Sequence, residues 1–168
     1  MRLINFVIAM VIIGSLLVGC ANLGKSEKKE MVNVRISGDV GYMIVQGKVF
    51  IRGESNLEPG TILTLKIEGE EFEKDIEVLP KGYFRTIFPR DNKKQAQLVL
   101  QLDPQKQSKE IKDIYGEHGE YLQGISIEYE DNGETYKTIE SYAWLSVEQT
   151  NFWDQRGDPY EILFSDKK

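Results

Sequence analysis

The chain has 168 residues, of which 40% are hydrophobic and 29% are charged, the balance of an ordinary globular domain rather than of a chain disordered throughout. Its 27 acidic and 21 basic residues give a net charge of −6, and this excess argues against a nucleic-acid groove, which needs a basic face. One cysteine excludes an internal disulfide framework and a cysteine-based zinc site, and one histidine leaves little for a metal cage.

The first 19 residues are organised as a secretion signal. Arg2 supplies a short basic region, and an apolar run extends from Phe6 to Val18. As a helix rising about 1.5 Å per residue, this run would cover roughly 20 Å, which is shorter than the hydrocarbon core of about 30 Å. We therefore expect residues 1–19 to be a cleaved signal peptide rather than a membrane-spanning helix.

The end of this segment, Leu17-Val18-Gly19-Cys20, resembles the lipobox of bacterial lipoproteins at all four positions. The resemblance implies that the thiol of Cys20 carries a diacylglyceryl group and that signal peptidase II cuts between Gly19 and Cys20. It also implies attachment to the extracytoplasmic face of the cell membrane, with this covalent lipid and no other cofactor. A solitary buried cysteine in an uncleaved anchor is the alternative.

Residues 20–31 are predicted to be a lipidated tether. The stretch from Asn22 to Glu30 combines Gly24 and Ser26 with charged residues of both signs, a composition typical of a solvated linker. Removal of residues 1–19 leaves 20 basic and 27 acidic residues, a net charge of −7 that favours solubility. We expect no fold before Val32.

From Val32 onward, apolar and polar residues alternate with period two, which predicts half-buried strands. Turn residues such as Gly69-Glu70, a predicted two-residue hairpin loop, and Leu79–Gly82, a predicted type I turn, separate the strands. We predict an all-β antiparallel sandwich of about eight strands with one short helix at Gln105–Tyr115. The predicted strands are Val32–Ser37, Met43–Arg52, Ile62–Glu68, Phe72–Val78, Tyr83–Phe88, Gln97–Leu102, Ile125–Glu130 and Thr135–Ala143.

Three stretches of this region carry a family resemblance. They are Gly53–Thr61, Gly82-Tyr83-Phe84 and Tyr115–Gly124. Together they resemble the immunoglobulin-like or fibronectin-III-like domains of extracytoplasmic proteins and lipoproteins from Bacillus-type Gram-positive bacteria. The resemblance covers residues 32–143 and implies a β-sandwich, but this group has no common activity that could be assigned to any residue.

The final segment, residues 144–168, is predicted to be an extension that packs on the sandwich. It is rich in large apolar side chains, with more of them than a loose tail would carry. Tryptophan and tyrosine dominate recognition surfaces when they are exposed, so a binding surface is the alternative to core packing. Its candidate residues are Trp144, Phe152, Trp153 and Tyr160.

Three polar clusters are candidate ligand-binding sites. His118 lies between Glu117 and Glu120 and could hold a metal ion, although adjacent residues rarely converge on one ligand and a solvated loop is favoured. The stretch Asp131–Glu134 offers oxygen ligands, but a hairpin turn explains it fully. The acidic run Glu68–Glu73 could bind cations or basic partners, and a solvated hairpin face is the favoured interpretation.

The sequence contains no recognisable nucleophile or metal constellation. We therefore expect a non-catalytic module that binds a protein or another envelope component, held at the membrane by its lipid and with no nucleic-acid partner. A carboxylate-dependent envelope hydrolase or enzyme inhibitor is one alternative, because glycosidic chemistry uses two carboxylates about 5–10 Å apart. A small-ligand carrier with a pocket lined by the C-terminal aromatic residues is another.

Overall fold

The computed structural model describes residues 29–43, 46–91 and 94–145 with their side chains, and residues 161–163 by their backbone. These residues form an all-β structure, which confirms the predicted fold class. The strands are β1 (Val32–Asn33), β2 (Ile36–Met43), β3 (Lys48–Ser55), β4 (Ile62–Ile67), β5 (Glu73–Glu77), β6 (Tyr83–Pro89), β7 (Ala96–Leu102), β8 (Leu122–Gln123), β9 (Ser126–Asp131), β10 (Glu134–Leu145) and β11 (Glu161–Leu163). Helix α1 covers Lys109–Tyr115, and 3₁₀ turns cover Pro80–Gly82 and Pro104–Lys106.

Two antiparallel sheets form the sandwich. The five-stranded sheet has the order β5-β4-β7-β10-β9, and the four-stranded sheet has the order β11-β2-β3-β6. Strands β1 and β8 form a separate short parallel pair. Because β4, β7 and β10 are neighbours in space but distant in sequence, the five-stranded sheet brings together side chains from three separate regions of the chain.

The inner faces of the two sheets share one apolar core. The four-stranded sheet contributes Val49, Ile51 and Phe84, and the five-stranded sheet contributes Leu65 and Leu100, each at most 2% exposed. Along β7 every second residue is buried, as the leucine pattern predicts. Full burial of one such side chain contributes about 1.5–3 kcal/mol, so this core supplies the main stabilisation of the sandwich.

The bounds of β2, in the first hairpin, differ from those predicted from the sequence. The strand predicted at Val32–Ser37 is wrong in extent, because β2 continues through two glycines and pairs with β3 along its whole length. A Cβ atom on Gly38 would lie 2.3 Å from the carbonyl oxygen of Arg52, and one on Gly41 would lie 2.6 Å from the Phe50 ring. These glycines therefore permit close approach within the sheet rather than marking a break.

The loop between β4 and β5 is longer than predicted. Five residues, 68–72, separate the strands, and the N–H of Glu70 donates to the carbonyl of Ile67 at 3.1 Å. Gly69 has a φ of 78°, which suits glycine at this turn. The extra residues let Phe72 pack on Phe88, with ring centroids 4.6 Å apart. The hairpin is confirmed, but a two-residue loop is wrong.

The turn at Leu79–Gly82 is confirmed in place and corrected in type. The N–H of Gly82 donates to the carbonyl of Leu79 at 3.0 Å. Lys81, at the third position, has φ 69° and ψ 17°, values of a type II turn rather than the predicted type I. At the other hairpin, Asn132 and Gly133 have φ values of 52° and 83°, as a type I′ turn requires.

The predicted helix Gln105–Tyr115 is divided in the structure. A 3₁₀ turn follows Asp103, whose carboxylate accepts from the N–H of Gln105 at 2.9 Å. Helix α1 begins only after Ser108, whose hydroxyl oxygen accepts from the N–H of Ile111 at 3.4 Å. Each cap starts its own short element, so one continuous helix was the wrong expectation.

The C-terminal region extends both sheets. Strand β10 continues to Leu145, and the backbone of β11 pairs with β2 in the register Glu161↔Val40. The predicted binding residues Phe152, Trp153 and Tyr160, and the lipobox residues Gly19 and Cys20, lie outside the described residues.

Residues 29–31 join the sandwich at the end that carries α1. The N–H of Val32 donates to the carbonyl of Tyr121 at 2.7 Å, just before β8. Lys29 lies over the Tyr121 ring, with its ammonium 5.1 Å from the ring centroid. Strand β4 starts at this end, where the side chain of Gln107 bonds both backbone groups of Ile62, and runs to Ile67 at the opposite end.

Candidate functional site

A shallow open groove of about 830 Å³ lies on the outer face of the five-stranded sheet. We call it the sheet groove. Its floor comes from β4, β7 and β10, one wall comes from the β4–β5 hairpin, and Ile127 on β9 borders the other side. The lining residues are Lys66, Ile67, Glu68, Glu70, Glu71, Phe72, Glu73, Gln97, Val99, Gln101, Ile127, Glu140 and Tyr142.

Strand register arranges the floor in rows. Val99 pairs with Lys66 on one side and with Tyr142 on the other, and Gln101 pairs likewise with Thr64 and Glu140. Paired residues of adjacent strands point to the same face and lie about 5 Å apart. The row through Val99 is therefore apolar at its centre, and the neighbouring row through Gln101 is polar.

Glu140 is the most deeply buried carboxylate in the groove, at 6% exposure. The side-chain amide of Gln101 donates to one of its oxygens at 2.5 Å, and the hydroxyl of Tyr142 donates to the other. The hydrogen bond to Glu140, followed by burial, raises the pKa of Tyr142 to about 12. The phenol therefore stays protonated at neutral pH and donates to Glu140.

A row of three residues connects the groove to an exposed tryptophan. Trp144 lies directly opposite Gln97 on β7, and the N–H of Glu68 donates to the carbonyl of Gln97 at 2.9 Å. Trp144 is 51% exposed. Of the four residues predicted as a possible binding surface, it is the one that the structure describes, and it is on the surface rather than in the core.

A buried ion pair holds the hairpin wall. Arg90, with a side chain only 3% exposed, donates to the two carboxylate oxygens of Glu70 at 2.6 and 3.3 Å. It also bonds the hydroxyl of Tyr42 and the carbonyl of Lys94. Burial opposes the charge on Arg90, but these partners outweigh it and raise its pKa. The wall is thus fixed to the four-stranded sheet and to the start of β7.

The rim of the groove carries carboxylates of two kinds. Glu73 pairs with Lys106 and lies 3.8 Å from Lys66, and the hydrogen bond from Lys106 lowers its pKa. Within the described part of the chain, Glu68 and Glu71 form no ion pair or side-chain hydrogen bond. These two carboxylates remain available to a ligand.

The carboxylates next to His118 in the sequence bond other groups. Glu117 pairs with Lys112 at 2.8 Å, and Glu120 accepts from the backbone N–H of His118. Glu134, from the next hairpin, lies 3.1 Å from the His118 ring instead. Among the described residues, no three His, Cys, Asp or Glu side chains are placed to hold a metal ion. The sequence could not indicate Glu134, because the strand pairing brings it there.

A second concave surface lies on the outer face of the four-stranded sheet. Met43, Phe50 and Ile87 form an apolar area next to Arg52 and Arg85, with a volume of about 560 Å³. We call it the basic patch. Arg52 pairs with Asp39 at 3.0 Å, and Ile87 is 53% exposed. The basic patch is thus lined by two arginines, whereas the charged side chains that line the sheet groove are mainly carboxylates.

Comparison of the chain with protein-family models, with curated proteins and with solved structures found no match. Within the described residues, no helix has the length and apolar character needed to cross a membrane.

Proposed function

We propose that this protein is a lipoprotein held at the extracytoplasmic face of the cell membrane by a diacylglyceryl group on Cys20. We further propose that its sandwich binds another envelope component through the sheet groove, without catalysing a reaction. The lipobox Leu17–Cys20 supports the anchor. The observation that carries the binding role is Trp144, 51% exposed beside the groove, since exposed tryptophan is typical of interface hot spots.

The position of the groove supports this role. The tether joins the sandwich at the α1 end, whereas the β4–β5 hairpin lies at the opposite end of β4. Six extended residues separate these ends by about 20 Å. A protein anchored through residue 20 would thus present the groove away from the tether attachment.

The hydrogen bonds of Glu140 favour binding over hydrolysis. A glycosidase-type carboxylate must exchange a proton or attack the substrate, so it needs a free oxygen facing the cleft. Both oxygens of Glu140 accept hydrogen bonds from protein donors, Gln101 and Tyr142. This arrangement suits a fixed polar floor that orients a ligand.

The anchor is tested by palmitate labelling of Cys20→Ser in a Gram-positive host. We expect the variant to accumulate as an unlabelled precursor that retains residues 1–19, because no thiol remains for lipid transfer. Ser26→Ala, in the tether, is the matched control and should be labelled and processed normally. Persistent labelling of Cys20→Ser would refute the anchor.

The binding role is tested by photo-crosslinking in intact cells. A photoreactive phenylalanine analogue replaces Trp144 in one strain and Ile114, 41% exposed on α1, in another. We expect a discrete adduct from position 144 and none from position 114, since α1 lies at the tether end. Equal adducts from both positions, or none from either, would contradict the proposed binding face.

A further inference from the structure

The sheet groove combines an apolar floor with a carboxylate rim. Val99 and Tyr142 line the floor, and Phe72 is fixed in the wall by its contact with Phe88. Glu68 and Glu71 stand on the rim without partners among the described side chains. A ligand that fits must therefore offer both apolar surface and positive charge.

Lysine and arginine side chains meet both requirements. Each has an apolar methylene stem that packs on hydrophobic surface and a cationic head that pairs with carboxylates. The ring face of an exposed tryptophan or tyrosine also attracts such a head. The row Trp144–Gln97–Glu68 places an aromatic ring and a rim carboxylate two strand spacings apart, which is about 10 Å.

We infer that the sheet groove binds an extended segment of another protein that carries lysine or arginine at every third position. This inference rests on the proposed function and names the partner's chemistry. An extended chain in the polyproline II conformation has three residues per turn and advances about 3.1 Å per residue, so cations three residues apart lie on one face and match the separation of Trp144 from Glu68. Charge complementarity also supports a cationic ligand, because the rim is acidic and residues 20–168 carry a net charge of −7.

The test uses the full chain in neutral detergent and a fluorescein-labelled peptide of three Lys-Ser-Gly repeats. Fluorescence anisotropy near physiological salt measures its affinity. A peptide of the same composition with its three lysines adjacent is the spacing control. We expect the repeat peptide to bind at least threefold more tightly than the block peptide. Equal affinities would overturn the inferred spacing.

The second arm locates the peptide on the protein. Glu68→Gln with Glu71→Gln should weaken binding about tenfold, because the peptide loses both carboxylates with which its cations pair. Glu128→Gln with Glu130→Gln is the matched control, since it removes the same charge from side chains of β9 that alternate with Ile127. We expect less than twofold weakening there. Equal weakening by both pairs would show a response to net charge alone and would refute the site.

A glucosamine oligosaccharide with free amino groups is the competing cationic ligand. If it binds and the peptide does not, the inference of a protein segment is wrong. If neither binds while the adduct at position 144 persists in cells, this inference fails and the proposed function stands. Loss of that adduct with retained peptide binding would instead contradict the proposed function.

Discussion

The two outer faces of the sandwich arise from the same alternation of strand residues but carry different chemistry. The five-stranded sheet presents the carboxylates Glu68 and Glu71 and the exposed ring of Trp144. The four-stranded sheet presents Arg52 directly opposite Arg85, with exposed apolar Ile87 nearby. A period-two pattern thus determines which side chains face outward, whereas strand pairing determines which side chains they meet.

The ion pairs of the two faces also differ in burial. The side chain of Arg90 is 3% exposed where it meets Glu70, and that of Arg52 is 59% exposed where it meets Asp39. Solvent screens the second pair far more than the first. The groove side of the molecule is therefore fixed by a buried charge pair, and the basic patch is not.

The largest expected effect is on the free energy of unfolding, and it distinguishes the inner face of β7 from its outer face. Leu100→Ala, at a fully buried position, should lower the free energy of unfolding by about 3 kcal/mol, because it leaves a cavity in the core. Val99→Ala, on the groove floor, should cost about 1 kcal/mol or less, since its side chain is half-buried. Urea unfolding of both variants measures the difference. Equal losses would contradict the assignment of inner and outer faces.

A smaller difference in stability is expected between variants of Arg90 and Arg52. Arg90→Ala should destabilise the protein by about 2 kcal/mol, because it removes the buried guanidinium that bonds Glu70 and Tyr42; the partial exposure of Glu70 limits the loss. Arg52→Ala should cost less than about 1 kcal/mol. Thermal unfolding at matched pH compares the two variants. A larger loss of stability for Arg52→Ala than for Arg90→Ala would contradict the difference between the two ion pairs.

Much of the fold could be predicted from the sequence, because alternation and turn residues are local signals. The leucines of β7 and the Asn132-Gly133 turn are examples. The bounds of β2 could not be predicted, since Gly38 looks like a break until Gly53 and Arg52 are known to lie against it. The division of the predicted helix was also missed, because Asp103 and Ser108 each cap a separate short element.

The groove itself was only partly predictable. The sequence indicates the acidic run Glu68–Glu73 and Trp144 as two separate candidates. Their proximity depends on the pairing of β4 with β7 and of β7 with β10, and each of these pairings joins residues 31 to 49 positions apart. The burial of Glu140 between Gln101 and Tyr142 gave no sequence signal, because it arises from the same pairing.

The tyrosine of the groove provides a pH-dependent test. The Tyr142 phenol, held protonated by Glu140, should show no titration below pH 11 in NMR spectra of labelled tyrosine. Because its pKa is raised, this hydrogen bond stabilises the fold below pH 10 and is lost as the pH rises towards 12. In Glu140→Gln the pKa should fall towards 10. An unchanged titration would contradict the contact.

The smallest expected effect is at the turn joining β5 to β6. Lys81 has a φ of 69°, which costs a residue with a Cβ atom about 1 kcal/mol. Lys81→Gly should therefore raise the free energy of unfolding by about 0.5 kcal/mol after the added chain entropy of glycine is counted. Lys81→Ala, the control, should give no gain. A gain in both variants would show that the lysine side chain, not the backbone, causes the strain.

The most direct test of the account labels one introduced cysteine on each outer face. With Cys20 lipidated, Ile127→Cys and Ile87→Cys, at side chains 49% and 53% exposed, would each carry a single free thiol. We expect a membrane-impermeant maleimide to label both in intact cells, more slowly at 127 than at 87, and at similar rates after purification. Labelling that requires cell lysis would contradict the extracytoplasmic location. Equal rates in cells would contradict the occupied groove.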